Sequence, residues 1–121
     1  MEKSESKIQQ EIFTWFHNNY CLPHHTPQHC IYHIPNQNQQ RLTSIGVKAG
    51  VPDLQVVLIP TEEERINGGL PKFIYVEVKD AKGTQSPKQI EFEQWCKQSG
   101  IEYYLVRSID DFKQVLLQAK G

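Results

Sequence analysis

Two short runs rich in Val, Ile, Leu and aromatics, Leu54 to Ile59 and Phe73 to Lys79, constrain the fold of this chain more than any other feature. Each has the length and the β-branched content of a strand. The Pro60 to Lys72 segment between them carries an Asn67-Gly68-Gly69 turn signal, so the pair is expected to form an antiparallel hairpin. Pairing that sets Asp53 opposite Glu77 centres the connection on Arg65, inside that segment. Side chains alternate faces along a strand, so Glu77 and Lys79 project from one side and Ile74, Val76 and Val78 from the other. Asp53, Glu77 and Lys79 therefore converge at one end of the sheet.

Ile8, Ile12, Trp15 and Phe16 recur at helical spacing, predicting an amphipathic helix from about Ser4 to Asn18 with its apolar stripe on the sheet. Asn19 to His29 reads as a loop, and Cys30 to Ile34 as a short strand closed by Pro35 and Asn36. Asn36 to Pro52 is a long polar loop with a short helix expected around Gln39 to Ser44; its Gly46 and Gly50 permit positive φ. Ser86, Pro87 and Gln89 supply an N-cap, a proline at the first helical position and a capping-box partner for a helix to Ser99, ended by Gly100. Glu102 to Arg107 is a further strand, and Ser108 with Asp111 caps a last helix whose face is Ile109, Phe112, Val115 and Leu116. The order α, β, β, β, α, β, α predicts an α/β domain with a mixed central sheet flanked by helices.

At 121 residues the chain has room for one domain with a real core, taken as residues 1–121. With 38% hydrophobic and 22% charged residues it falls outside the disordered class. No run approaches the roughly 20 apolar residues that span a bilayer, and Met1 to Lys7 is polar. A cytoplasmic protein without a membrane partner is expected. Cys21, Cys30 and Cys96 are odd in number and spread apart, which points to reduced thiols. The net charge of −1 lacks the basic excess usual in phosphate binders. Carboxylates gathered around divalent cations would invert that local charge.

Two carboxylates and an ammonium at one sheet end suit phosphodiester hydrolysis. Hard carboxylate oxygens can hold Mg²⁺ or Mn²⁺ and leave positions for water and a phosphate oxygen, while Lys79 can orient that water or stabilise charge growing on phosphorus. The acidic Glu62-Glu63-Glu64 run falls at the far end of the hairpin, roughly 20 Å away at about 3.3 Å per residue. Each element also has a plain reading, since Glu-x-Lys is a common exposed strand pair and Pro-Asp often only begins a strand. The crowding of Cys21, His24, His25, His29, Cys30 and His33 raises zinc. No Cys-x₂-Cys occurs there, and Cys30 and His33 on one strand would point to opposite faces. Loop histidines with Cys30 in the core are the expectation.

Gly46-Val47-Lys48-Ala49-Gly50-Val51-Pro52-Asp53, then Val76-Glu77-Val78-Lys79, then Gln85-Ser86-Pro87-Lys88-Gln89 resemble a VRR-NUC domain of the PD-(D/E)xK nuclease superfamily. His33-Ile34-Pro35-Asn36 is similar to that family too, and the resemblance runs from Glu5-Ser6-Lys7-Ile8-Gln9 to the closing strand and helix. It implies a restriction-endonuclease-like core in which Asp53 and Glu77 are metal ligands, the backbone carbonyl of Val78 completes the site, Lys79 is catalytic and Gln89 is auxiliary. Ser86 and Gln89 also fit a capping box with no functional role. The family further implies a glutamate on the first helix. At about 100° per residue, Glu5 lies roughly 35° from the centre of the apolar stripe and Glu11 about 85° away, which selects Glu5. Gln9, one turn on, would support it.

Arg41, Lys48, Lys82 and Lys88 are candidate DNA phosphate contacts around the same end, each with a solvated surface charge as the alternative. The implied activity is that of a Mg²⁺-dependent endodeoxyribonuclease, with Mn²⁺ also supporting it and no small-molecule substrate. Stand-alone, virus-type members look like junction resolvases. This implies a homodimer on branched DNA, Holliday junctions favoured, acting in a host cell if virus-encoded. A flap or repair nuclease is the alternative, as is a non-catalytic DNA-binding module. Against the module stands the retention of Asp53, Glu77 and Lys79 at the spacing that chemistry requires.

Overall fold

A computed structural model describes residues 2–35 and 49–120. Gly46, Arg41, Lys48 and the helix expected around Gln39 to Ser44 lie outside the described residues. Helix α1 spans Glu5–Phe16 behind Ser4, whose side chain accepts from the Lys7 amide at 3.2 Å. Its Ile8, Ile12 and Phe16 are buried, the i, i+4, i+8 stripe that the spacing predicts. A π turn, His17–Cys21, prolongs the coil into the segment expected as loop. Strands β1 (Cys30–His33) and β2 (Leu54–Leu58) follow, then a short helix α2 (Glu62–Ile66) and β3 (Lys72–Val78). Helix α3 (Pro87–Ser99), strand β4 (Glu102–Val106) and helix α4 (Ile109–Lys120) complete the order.

The four strands lie in the order β1-β2-β3-β4. β2 runs antiparallel to both of its neighbours, β1 and β3, and β4 runs parallel to β3 after the α3 crossover. One sheet face, with Leu54, Val56, Leu58, Ile74, Val76 and Val78, is buried with Ile12 and Phe16 of α1 and Phe112 and Leu116 of α4. Phe16 and Phe112 meet edge to face with ring centroids 5.9 Å apart, a favoured aromatic geometry. On the second face α3 sets Phe92 and Cys96 against Tyr103, with Tyr75 packed alongside. Among the described residues no helix is long and apolar enough to cross a membrane.

Two local expectations need correction. The hairpin connection is not a simple turn: Thr61 and Glu64 form a capping box that starts α2, and Gly68 follows it with φ of +91°. The Thr-x-x-Glu signature competes with the Asn-Gly-Gly signal, and both are used in succession. Cys30 is exposed, outside the core. Ile31 occupies the core side of β1, so its neighbours Cys30 and Tyr32 take the outer face. Cys21 and His29 are buried instead, and His29 Nδ1 accepts from the Ile59 amide at 2.9 Å.

Gly50 carries φ of +87°, and a Cβ there would stand 2.4 Å from the Lys88 carbonyl oxygen. The approach to β2 therefore rests directly on the first turn of α3. Gly50→Ala should destabilise the fold by about 1–3 kcal/mol from strained backbone alone. Thermal melts reading the same Tm as the parent would show that this contact does not hold the loop.

Candidate active site

The β2–β3 register pairs Leu54 with Val76, so one step further places Asp53 across from Glu77. Asp53 Oδ2 accepts from the Val78 amide at 2.9 Å, which fixes the carboxylate against β3. Its main chain is held from the other side: Asp53 O accepts from the Ile34 amide at 2.7 Å. His33 Nδ1 lies 3.1 Å from that same oxygen, and Gln9 Nε2 lies 2.6 Å from Nδ1. Nδ1 makes one of these bonds at a time: protonated it donates to Asp53 O, and unprotonated it accepts from Gln9, so the tautomer decides whether His33 holds Asp53 or α1. Gln9 thus engages His33, where support of Glu5 was expected.

Glu77 is 1% exposed, and its Oε1 has no hydrogen-bond partner. Burial pushes its carboxyl up from 4.5 to about 9, helped by a hydrogen bond to Asp53 and by the charge of Asp53; Lys79 opposes the shift and Glu5 adds to it. Lys79 is buried just past the end of β3, where its amide donates to Val106 O at 3.0 Å. Tyr103 of β4 faces the same group: burial first and then the charge of Glu77 push its phenol upward. Gln85 Nε2 donates to the Tyr103 hydroxyl at 3.0 Å and to Glu93 Oε1 at 3.2 Å.

Helix α1 delivers Glu5 to this cluster. A Cβ on Gly83 would stand 3.1 Å from Glu5 Oε2, 3.0 Å from Asp80 Oδ1 and 3.4 Å from Lys79 Cδ. Gly83 is therefore the gap around which the three side chains gather. Glu11 turns away and pairs with Lys3 at 2.8 Å. The loop after Lys79 is clamped by Arg107, whose Nη1 donates to Asp80 O at 2.6 Å and to Gly83 O at 2.8 Å. Asp80 Oδ1 accepts from the Lys82 and Gly83 amides and closes the turn.

Gln89 is buried and spends its Oε1 on the Ser86 amide at 2.8 Å, completing the capping box. It also lines a cleft of about 440 Å³ with Lys79, Gln85 and Gly50. Lys82 is exposed, and the exposed Lys88 pairs with Glu91 at 3.5 Å. The roles of His33, Arg107 and Gly83 were missed in the sequence. Each acts through a contact between distant elements, and only the His33-Ile34-Pro35-Asn36 run flagged any of them.

Among the described residues no group of three or more His, Cys, Asp or Glu could by itself hold a metal ion, the Cys21 to His33 stretch included. The donors at the sheet end are different in kind. The unpartnered Glu77 Oε1 and the Asp53 carboxylate beside it are hard oxygens, the kind that suits Mg²⁺ or Mn²⁺. A cation there would satisfy the orphaned oxygen, so the residues fit a divalent ion.

A mixed sheet with helices on both faces and a carboxylate pair at one strand end is the restriction-endonuclease-like core of the PD-(D/E)xK class. The VRR-NUC domain family model matches residues 3–110, and the chain belongs to the VRR-NUC family. Membership carries a nuclease-type function on DNA, in a family that generally uses divalent metals. Among solved structures, a VRR_NUC domain protein superposes with a TM-score of 0.71 at 20% identity, covering 98% of this chain and 88% of that one. At that identity the likeness is one of fold. No curated protein matches the chain.

Proposed function

We propose that residues 1–121 form a single Mg²⁺-dependent endodeoxyribonuclease domain that acts as a homodimer on branched DNA, with Holliday junctions as the favoured substrate. The observation that carries the catalytic part is the buried Glu77 Oε1, left without a partner beside Asp53 and within the field of Lys79. Burying a carboxyl without satisfying it is costly, and such groups concentrate at working sites. Asp53, Glu77 and the Val78 carbonyl would hold the ion, which when bound supplies Lewis acidity and lowers the pKa of water. Lys79 places a positive charge where negative charge grows on phosphorus. Glu5, across Gly83 from Lys79, orients that ammonium and the attacking water. The Val78 and Ile34 amides hold Asp53 in place beforehand, so little reorganisation accompanies reaction. Gln89 fixes the cleft wall, and Lys82 and Lys88, with Arg41 and Lys48 beyond the described residues, meet phosphates.

The branched substrate follows from valence and shape. One chain supplies one site, two coordinated cuts need two, and a two-fold dimer matches the approximate two-fold symmetry of a four-way junction. A net charge of −1 also suits selection by DNA shape and flexibility over a long run of charged contacts. Cleavage of four-way junctions, flaps and linear duplex at equal concentration with Mg²⁺, together with light scattering, tests the proposal. Preferential junction cutting by a dimer is expected. A monomer cutting linear duplex as fast would remove the junction assignment, and no cleavage of any DNA with Mg²⁺ or Mn²⁺ would assign a binding module.

A further inference from the structure

A second groove, of about 510 Å³, opens beside the cleft, lined by Val51, Tyr75, Phe92 and Trp95. It shares Ala49 and Lys88 with the cleft that contains Lys79, so the two adjoin. Its place is set by β3 and by the segment that leads into β2, which carry the carboxylates. Tyr75 stands two residues before Glu77 on the same face of β3, and Val51 two residues before Asp53. At about 3.3 Å per residue the step from Tyr75 to Glu77 is roughly 7 Å.

The wall is a run of aromatic rings. Tyr75 meets Phe92 edge to face at 5.2 Å, and Phe92 meets Trp95 at 5.4 Å. Phe92 is buried, yet Trp95 stays 51% exposed, an indole face held by packing at its base and open to solvent. Lys88 stands at the rim, exposed and paired with Glu91 at 3.5 Å, on the side of the phosphate cleft. The ring wall itself carries no charge and is a good site for an uncharged, planar ring.

We propose that this groove takes an unpaired nucleobase of the DNA substrate, stacked on Trp95 next to the phosphate held at Asp53 and Glu77. The inference rests on the DNA-acting reading above and adds its selectivity element. A paired base inside a duplex cannot reach the groove without unstacking, whereas a nucleotide at a branch, flap or gap is already free. Substrates with a loose nucleotide near the scissile phosphate gain a contact that linear duplex lacks.

The test measures binding of the full chain with Ca²⁺ in place of Mg²⁺, using linear duplex and the same duplex with two unpaired nucleotides, one being 2-aminopurine. Trp95→Ala should weaken binding of the unpaired substrate about tenfold, the usual worth of one stacked base, and leave duplex binding unchanged. Trp95→Phe, which keeps a ring, should restore most of it. The 2-aminopurine emission should be quenched by the parent and by Trp95→Phe, and not by Trp95→Ala. Equal effects on both DNAs, or none, would overturn the groove while leaving the nuclease reading intact. A parent that binds neither DNA would overturn that reading and the groove with it. A Trp95→Ala change in solution mass would give the groove to a second copy of the chain instead.

Discussion

Asp53→Asn, Glu77→Gln and Lys79→Ala are each expected to reduce metal-dependent DNA cleavage by at least about a hundredfold, the usual consequence of losing one preorganised electrostatic partner. The three should fail for different reasons. Asn at 53 can still accept from the Val78 amide, so the loop stays in place while the anionic charge is lost. Gln at 77 keeps the volume of a buried side chain and removes the carboxylate whose Oε1 stands unpartnered. Ala at 79 removes the ammonium and leaves the backbone bond to Val106 O. Glu5→Gln should slow cleavage as well, since its carboxylate lies at Gly83 beside Lys79. Glu11→Gln loses only a pairing with Lys3 and should leave the rate unchanged. Single-turnover rates with excess enzyme, alongside melting curves that verify the fold, read these effects directly. Parent-like turnover by Lys79→Ala would rule out the role given to that ammonium.

What could be read in advance was whatever depends on neighbours along the chain. The β2–β3 register was legible because both runs alternate and their connection is centred near Arg65, which sets Asp53 against Glu77 with no knowledge of the rest of the fold. The resemblance asked for a glutamate on the first helix and helical geometry selected Glu5; in the fold Glu5 lies at Gly83 and Glu11 turns to Lys3. Capping was legible at Ser86 and Ser108 and overlooked at Thr61, where an Asn-Gly-Gly turn drew the weight. Contacts between distant elements left no local mark. The Arg107 clamp exists because the parallel β3–β4 register brings Val106 level with Val78. Gln9 reaches β1 because α1 crosses that end of the sheet, and periodicity specifies a helix face without naming its partner. Net charge did not mark the site, because a sum over the chain does not report where a few carboxylates gather.

Without a divalent cation the protein should lose stability as the pH rises from about 5 to about 9, and Mg²⁺ should restore it. Glu77 governs the sign. Its folded-state value of about 9 lies above the ordinary 4.5, raised first by burial and then by its hydrogen bond to Asp53 and that group's charge. Below pH 4.5 both folded and unfolded chains hold the proton, and Glu77 adds no slope. Between the two values the folded state keeps a proton that the unfolded state has released, so each further pH unit removes up to about 1.4 kcal/mol of stability. Above the folded value both forms are ionised and the loss levels off. Glu77→Gln has no proton to lose at this position, so its melting temperature should fall less than the parent's across this window and exceed it at pH 9. A cation bound by the ionised carboxylates acts in the opposite sense: it stabilises only the folded chain and releases the Glu77 proton, so its benefit grows with pH. Melting curves at pH 5, 7 and 9, with EDTA or with Mg²⁺, on parent and Glu77→Gln separate the two effects. A parent curve with no fall in EDTA would mean that Glu77 is not held protonated by its surroundings. A fall that Mg²⁺ does not reverse would remove the carboxylate pair as the ion's binding site, whatever the cleavage assay reads.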